Sequence, residues 1–184
     1  MITSTSSSQV KHVVNLQKKA KLRKEEKQFV VEGVKMVSEA PADRLVKVYV
    51  SETFKADNEE FLERMNYDSI GKDVLEIVTD NVFMRMADTQ TPQGIMAVVR
   101  MSDTDLEGIL SDKHNPLLLI IENLQDPGNL GTIVRMAEGA GVTGIIMSSN
   151  TVDIYNPKTI RSTMGSIYRV PFVYAADFIG AIEL

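Results

Sequence analysis

The feature that most constrains this chain is an apolar run, Leu117-Leu118-Leu119-Ile120-Ile121, that breaks off into Glu122-Asn123-Leu124-Gln125-Asp126-Pro127-Gly128-Asn129. Five apolar residues without alternation read as a central strand covered on both faces. Such a strand needs helices on its sheet, and so an α/β fold with parallel strands. Asp-Pro-Gly-Asn is turn chemistry, because proline presets φ while Asp and Asn side chains bond back to their own backbone. Past the turn, Leu130, Ile133, Val134 and Ala137 recur at helical spacing, Gly139 and Gly141 end the helix, and Gly144-Ile145-Ile146-Met147 is a second strand. Strand, tight loop, helix and strand make a β-α-β unit whose strands are expected to be parallel and connected right-handedly.

The same reading extends in both directions. Asn156-Pro157 starts a helix running to about Met164 and stopped by Gly165, and residues 167–174 read as a third strand that tolerates Pro171 where no ladder donor is needed. Towards the amino terminus, a Ser/Thr-rich start is expected to fray. Val10, Val13, Val14 and Gln17 then stripe a single helix that runs into a basic stretch. Residues 29–33 form a short buried strand closed by Gly33, and residues 34–40 a helix halted at Pro41. Strands at 45–50, 74–78 and 95–101 alternate with helices at 59–65 and 81–87. Residues 102–115, acidic at Asp103, Asp105, Glu107 and Asp112, form a short connecting helix. The expected division is a small α/β domain at 1–101, a linker at 102–115, and a second α/β domain at 116–184.

Composition removes several classes of function. There is no cysteine, and only His12 and His114 carry imidazole, so neither a disulfide nor a metal centre is expected; both histidines read as ordinary surface residues. No run approaches the roughly 18 apolar residues of a membrane span, and the polar start lacks the charged-then-apolar pattern of a secretion signal. No membrane association is expected, and the cytoplasm is the expected compartment. A net charge of −5 argues against a uniformly basic nucleic-acid binder, but the charge is uneven. In residues 11–35, eight lysines and arginines against Glu25, Glu26 and Glu32 leave +5 locally and −10 elsewhere. Lys18, Lys19, Lys21 and Arg23 therefore read either as an arm for RNA phosphates or as a solvated helix face.

The stretch 122–135 concentrates chemistry at the carboxyl end of a strand, where open α/β sheets collect ligands. It offers the Asn123 amide, loop N–H groups and the cation of Arg135, which the apolar stripe of the helix leaves to one side. By spacing alone this is equally a Gly-rich turn with a surface arginine. It is not a dinucleotide fingerprint: neither G-x-G-x-x-G nor G-x-x-x-x-G-K-[ST] occurs, which sets aside a nucleotide-dependent oxidoreductase.

The spelling Asn-x-x-Asp-Pro-x-Asn-x-Gly-x-x-x-Arg from Asn123 to Arg135 resembles the first motif of the SpoU (TrmH-like) RNA ribose methyltransferases, members of the SPOUT superfamily. The stretch from Asp153 to Pro171, with Asn156-Pro157-Lys158 and Arg161-Ser162-Thr163-Met164-Gly165-Ser166, is similar to the family's second motif. Phe29-Val30-Val31-Glu32-Gly33 and Thr91-Pro92-Gln93-Gly94 resemble phrases of the substrate-binding domain that many of these enzymes carry.

The resemblance implies an α/β protein with a ribosomal-protein-L30e-like domain followed by an α/β-knot catalytic domain with a parallel sheet. It implies methyl transfer from S-adenosylmethionine to a ribose 2′-hydroxyl of ribosomal or transfer RNA, by a homodimer whose interface lies near the second motif. It assigns ribose activation to Arg135 and orientation of the site to Asn123, RNA contacts to Asn129 and Arg161, and weaker donor contacts to Ser148, Ser149, Gly165 and Ser166. A guanidinium with a pKa above about 12 is a poor general base, so hydrogen bonding to a developing alkoxide is the easier role for Arg135.

The family's third motif, a Gly-rich strand and loop followed by Ser-Leu-Asn, has no counterpart before Leu184. The resemblance therefore predicts an unthreaded knot, a donor pocket short of most of its walls, and a chain cut from a longer enzyme. The alternative is a non-catalytic RNA-binding or assembly module that keeps the fold.

Overall fold

The computed structural model describes residues 1–67, 71, 74–111 and 116–184. His114 and the end of the expected linker, residues 112–115, lie outside the described residues. The chain forms two compact units, Met1–Met101 and Ser102–Leu184.

The first unit contains α1 (Ser8–Lys18), α2 (Ala20–Glu26), β1 (Gln28–Glu32), α3 (Val34–Ser38), β2 (Leu45–Ser51), α4 (Glu52–Asp57), α5 (Glu59–Met65), β3 (Leu75–Val78), α6 (Asp80–Met86) and β4 (Ile95–Arg100). Its sheet has the order β1-β4-β2-β3, with β4 antiparallel to both neighbours and β2 parallel to β3. Strand β4 is buried from Ile95 to Val99, because helices cover both of its faces. On one face Val10, Val13 and Leu16 of α1 and Val82, Phe83 and Met86 of α6 pack against Val30, Tyr49, Met96 and Val98.

The amino-terminal stretch is tied down where fraying was expected. Ile2 forms a parallel bridge to Val78, and the terminal ammonium lies 3.0 Å from Glu76. The single basic helix is two helices broken at Lys19, whose φ of −117° and ψ of 100° are extended. Leu16 rather than Gln17 completes the inward stripe. His12, expected on the open surface, is half-buried and meets Glu26 at 2.6 Å, joining α1 to α2.

Two phrases singled out in the sequence interlock. The Glu32 carboxylate accepts from the Asp88 N–H and the Thr89 hydroxyl, while Gln93 Oε1 accepts from Val34 N at 2.7 Å and so caps α3. Gly33, at φ 97°, leaves room for that amide; a β-carbon there would stand 2.8 Å from Gln93 Oε1.

The second unit contains α7 (Leu106–Leu110), β5 (Leu118–Ile121), α8 (Pro127–Gly139), β6 (Gly144–Ser148), α9 (Pro157–Thr163), β7 (Phe172–Ala175) and α10 (Phe178–Glu183). The sheet is parallel throughout, in the order β5-β6-β7. Two expectations change here. The central strand is β6, with Ile145, Ile146 and Met147 fully buried, whereas β5 lies at an edge of the described sheet and leaves Ile120 39% exposed. An unbroken apolar run marks sheet membership, and it does not separate centre from edge.

The third strand starts only at Phe172. Met164 and Gly165 both turn left-handed at φ 52° and 99°, and Ser166–Tyr168 coils into a 3-10 turn, which consumes the residues expected to be extended. Pro171 contributes the acceptor its ring leaves intact, taking a hydrogen bond from Ile145 N at 2.9 Å.

Candidate active site

The helix of the first motif, α8, and that of the second, α9, each begin with a proline behind a side-chain cap. Asp126 accepts from Asn129 N at 2.7 Å at the start of α8, and Asn156 accepts from Lys158 N at 2.9 Å at the start of α9. Lys158 Nζ stands 3.9 Å from Asp126 Oδ2, between the two starts. Gly131 sets how closely the helices approach, since a β-carbon there would meet the Thr159 carbonyl oxygen at 2.4 Å and Ser162 Cβ at 2.5 Å. This motif glycine is a packing residue rather than a loop residue.

Asn123 follows β5 and adopts φ 55°, a left-handed conformation that Asn tolerates better than most side chains. Its backbone N–H donates to Ser148 Oγ at 2.9 Å, and its carbonyl accepts from Gln125 Nε2 at 3.1 Å, while Gln125 also reaches the Asn150 carbonyl at 2.8 Å. The loop after β5 is thus stitched to the end of β6. The Asn123 side chain is exposed, and its amide makes no hydrogen bond among the described residues.

Arg135 lies eight residues past the start of α8, about 12 Å along the axis at 1.5 Å per residue. Leu130, Val134 and Ala137 take the buried face, leaving Arg135 exposed with no ion pair or hydrogen bond among the described residues. Among the described residues no hydrogen bond joins Asn123 to Arg135. Asn129 is exposed in the first turn of α8, and Arg161 is half-buried and engaged by neighbours.

The four residues assigned to the methyl donor do not form one cradle. Ser148 is 8% exposed, and its hydroxyl is occupied by Asn123 N and by Thr151 Oγ1 at 3.1 Å. Ser149 beside it is exposed. Gly165 and Ser166 are buried at the other end of α8, where the Ser166 hydroxyl donates to Glu138. Glu138 lies eleven residues past Pro127, about 17 Å along the helix from the Asn123 loop. These residues as placed do not fit S-adenosylmethionine.

The basic arm in the first unit also sorts differently from the sequence reading. Arg23 is 3% exposed and donates through Nη1 to the carbonyls of Leu16 at 2.7 Å and Gln17 at 2.9 Å, so it caps α1 and is not available to RNA. Lys21 has Glu25 within 3.8 Å. Lys18 and Lys19 are exposed without an ion pair among the described residues, and so are Lys11 and Lys24, which the sequence reading counted in the basic stretch but did not assign to RNA. The signal for Lys11 was its place seven residues before Lys18, on the same outward stripe of α1.

Residues 116–184 match the SpoU rRNA Methylase family, and residues 7–97 match the MRM3-like substrate binding domain. The chain thus carries a stretch similar to SpoU methylases behind one similar to the MRM3-like substrate binding domain. It is 32% identical over 174 residues to rRNA methyltransferase 3, mitochondrial, of Xenopus laevis, covering 90% of this chain and 39% of that protein. It is 36% identical over 97 residues to the 23S rRNA (guanosine(2553)-2′-O)-methyltransferase RlmP of Bacillus subtilis, covering 53% of this chain and 37% of the relative. The chain thus spans about two fifths of the length of these SpoU relatives. Among solved structures, an rRNA methyltransferase from Sinorhizobium meliloti superposes with a TM-score of 0.81 at 26% identity, over 99% of this chain and 68% of that one. The same enzyme has also been solved with AdoMet bound. No helix among the described residues is long and apolar enough to cross a membrane.

Proposed function

We propose that this chain takes part in S-adenosylmethionine-dependent 2′-O-methylation of ribose in RNA, with ribosomal RNA the favoured substrate and transfer RNA the other. The observation that carries the reading is Arg135: an exposed guanidinium, unpaired among the described residues, on the helix that follows the strand-end loop of a SpoU fold. A ribose hydroxyl is a weak nucleophile until its proton is lost or shared. Hydrogen bonds from Arg135 to the ribose oxygen stabilise the charge that develops there, and the free Asn123 amide orients the sugar. Lys11, Lys18, Lys19 and Lys24 hold RNA phosphates. The reading includes a homodimer and the cytoplasm as compartment, the latter against relatives named as mitochondrial.

The test is transfer of labelled methyl from S-adenosylmethionine to unmodified ribosomal and transfer RNA, with the product mapped as a 2′-O-methyl nucleotide. Arg135→Ala is expected to lower the rate about 100-fold, the scale for removing one oxyanion donor. A protein that binds RNA normally and methylates neither RNA is instead the non-catalytic assembly module.

A further inference from the structure

Arg135 and Glu138 stand three residues apart on α8, the spacing at which opposite charges on a helix surface meet. Here they do not. Arg135 makes no ion pair or hydrogen bond among the described residues, and the Glu138 carboxylate is held from the other side by the segment after α9. Ser166 Oγ donates to Glu138 Oε2, Arg169 Nε donates to Oε1, and Arg169 Nη2 donates to Oε2 at 3.2 Å. Both carboxylate oxygens are therefore spoken for by a two-point guanidinium contact and a hydroxyl.

We infer that Arg169 and Ser166 are positioning residues that keep Glu138 off Arg135, so that the Arg135 guanidinium stays available to the ribose oxygen. The proposal rests on the reading of Arg135 given above. A carboxylate released beside Arg135 would share its donors and would oppose negative charge growing on the ribose oxygen. It also gives the second-motif segment a task in the reaction that needs no contact with substrate: Arg169 acts through Glu138. Sequence spacing alone would have paired Arg135 with Glu138 and hidden the point.

Helix-neighbour ion pairs favour the paired state only about two-fold, so Arg169→Ala is expected to lower kcat about two-fold with KM for RNA unchanged. The double variant E138Q/R169A should return kcat to the starting value, because a neutral amide does not capture the guanidinium. If Arg169 merely braces the 165–169 turn, E138Q/R169A stays as slow as R169A while the charge swap E138R/R169E recovers; that result overturns the proposal.

The direct readout is the Arg135 Nε–Hε proton in the full chain by NMR. It is expected to exchange rapidly with solvent in the starting protein, slow down in R169A and speed up again in E138Q/R169A. Slow exchange in the starting protein, or no change in R169A, overturns the proposal without any activity measurement. Should R169A fail to fold, Arg169→Lys keeps the cation, loses the two-point geometry and supports the same comparisons. A full rate in Arg135→Ala sinks the reading of Arg135 itself, whereas a loss there with R169A unaffected sinks this inference alone.

Discussion

Gly131 and Thr159 bring α8 and α9 closer than any side chain on the glycine permits: a β-carbon would lie 2.4 Å from the Thr159 backbone oxygen. Backbone cannot swing aside as a flexible side-chain tip can, so Gly131→Ala must push the helices apart. Overpacking of this kind costs about 1–3 kcal/mol. The expected outcome is a lower melting temperature for the second unit. The first unit, whose packing does not involve Gly131, should melt unchanged. Calorimetry of the variant checks both; an unaltered second unit would mean that the helices separate at no cost.

How far the sequence could be read depended on which interaction decided each element. Local chemistry was legible where Pro157 starts α9 and Gly139 ends α8, whereas residues 126–129, read as a turn, form the cap and first turn of α8. What failed was settled by distant partners. Arg23 looks like its lysine neighbours until the carbonyls of Leu16 and Gln17 are found against it. Leu118–Ile121 carries the composition of a central strand although its place in the order is an edge. For the site, Asn123 and Arg135, named by the motif, are both exposed. Nothing local distinguished Ser148 or Ser166, with hydroxyls already engaged, from Ser149, which is exposed.

Arg23 and Lys18 make opposite predictions although five residues separate them. Arg23→Ala strands two carbonyls at the end of α1, and a buried unsatisfied acceptor costs about 1–3 kcal/mol. It should destabilise the first unit while leaving the salt dependence of RNA binding unchanged. Replacing Lys11, Lys18, Lys19 and Lys24 together should leave the melting temperature near its starting value and weaken RNA binding. Each phosphate contact removed lowers the slope of log affinity against log salt by about 0.7–0.9. Titrations at several salt concentrations separate the two effects, and an unchanged slope in the lysine variant would take the arm out of the RNA interface.

Tyr49 sets an alkaline limit on the first unit. Burial, helped by the negative charge of Glu76, pushes its phenol up from 10.0 to about 12, and its hydroxyl donates to Gln9 Oε1 at 3.1 Å. The folded chain keeps the proton where the unfolded chain has lost it. The stabilisation is therefore complete below pH 10 and is lost as pH rises towards 12, at about 1.4 kcal/mol per pH unit for one phenol. Tyr67, also raised to about 12 by burial, adds a similar slope. Chemical denaturation between pH 9 and about 12 should show stability falling as pH rises, and Tyr49→Phe should flatten that fall. A decline equally steep in the variant would place its cause elsewhere.

Asn123 has two separable duties. At φ 55° its backbone occupies a region that costs an ordinary side chain about 1–2 kcal/mol and costs glycine nothing. Its N–H holds Ser148 Oγ whatever side chain is present. Asn123→Gly should therefore melt at or above the starting temperature, and Asn123→Ala about 1 kcal/mol less stable. If the amide orients the ribose, both variants lose methyl transfer alike despite their different stabilities. If activity instead follows stability, with the glycine variant fully active, Asn123 serves the loop's backbone alone and the orienting group must be sought among its neighbours.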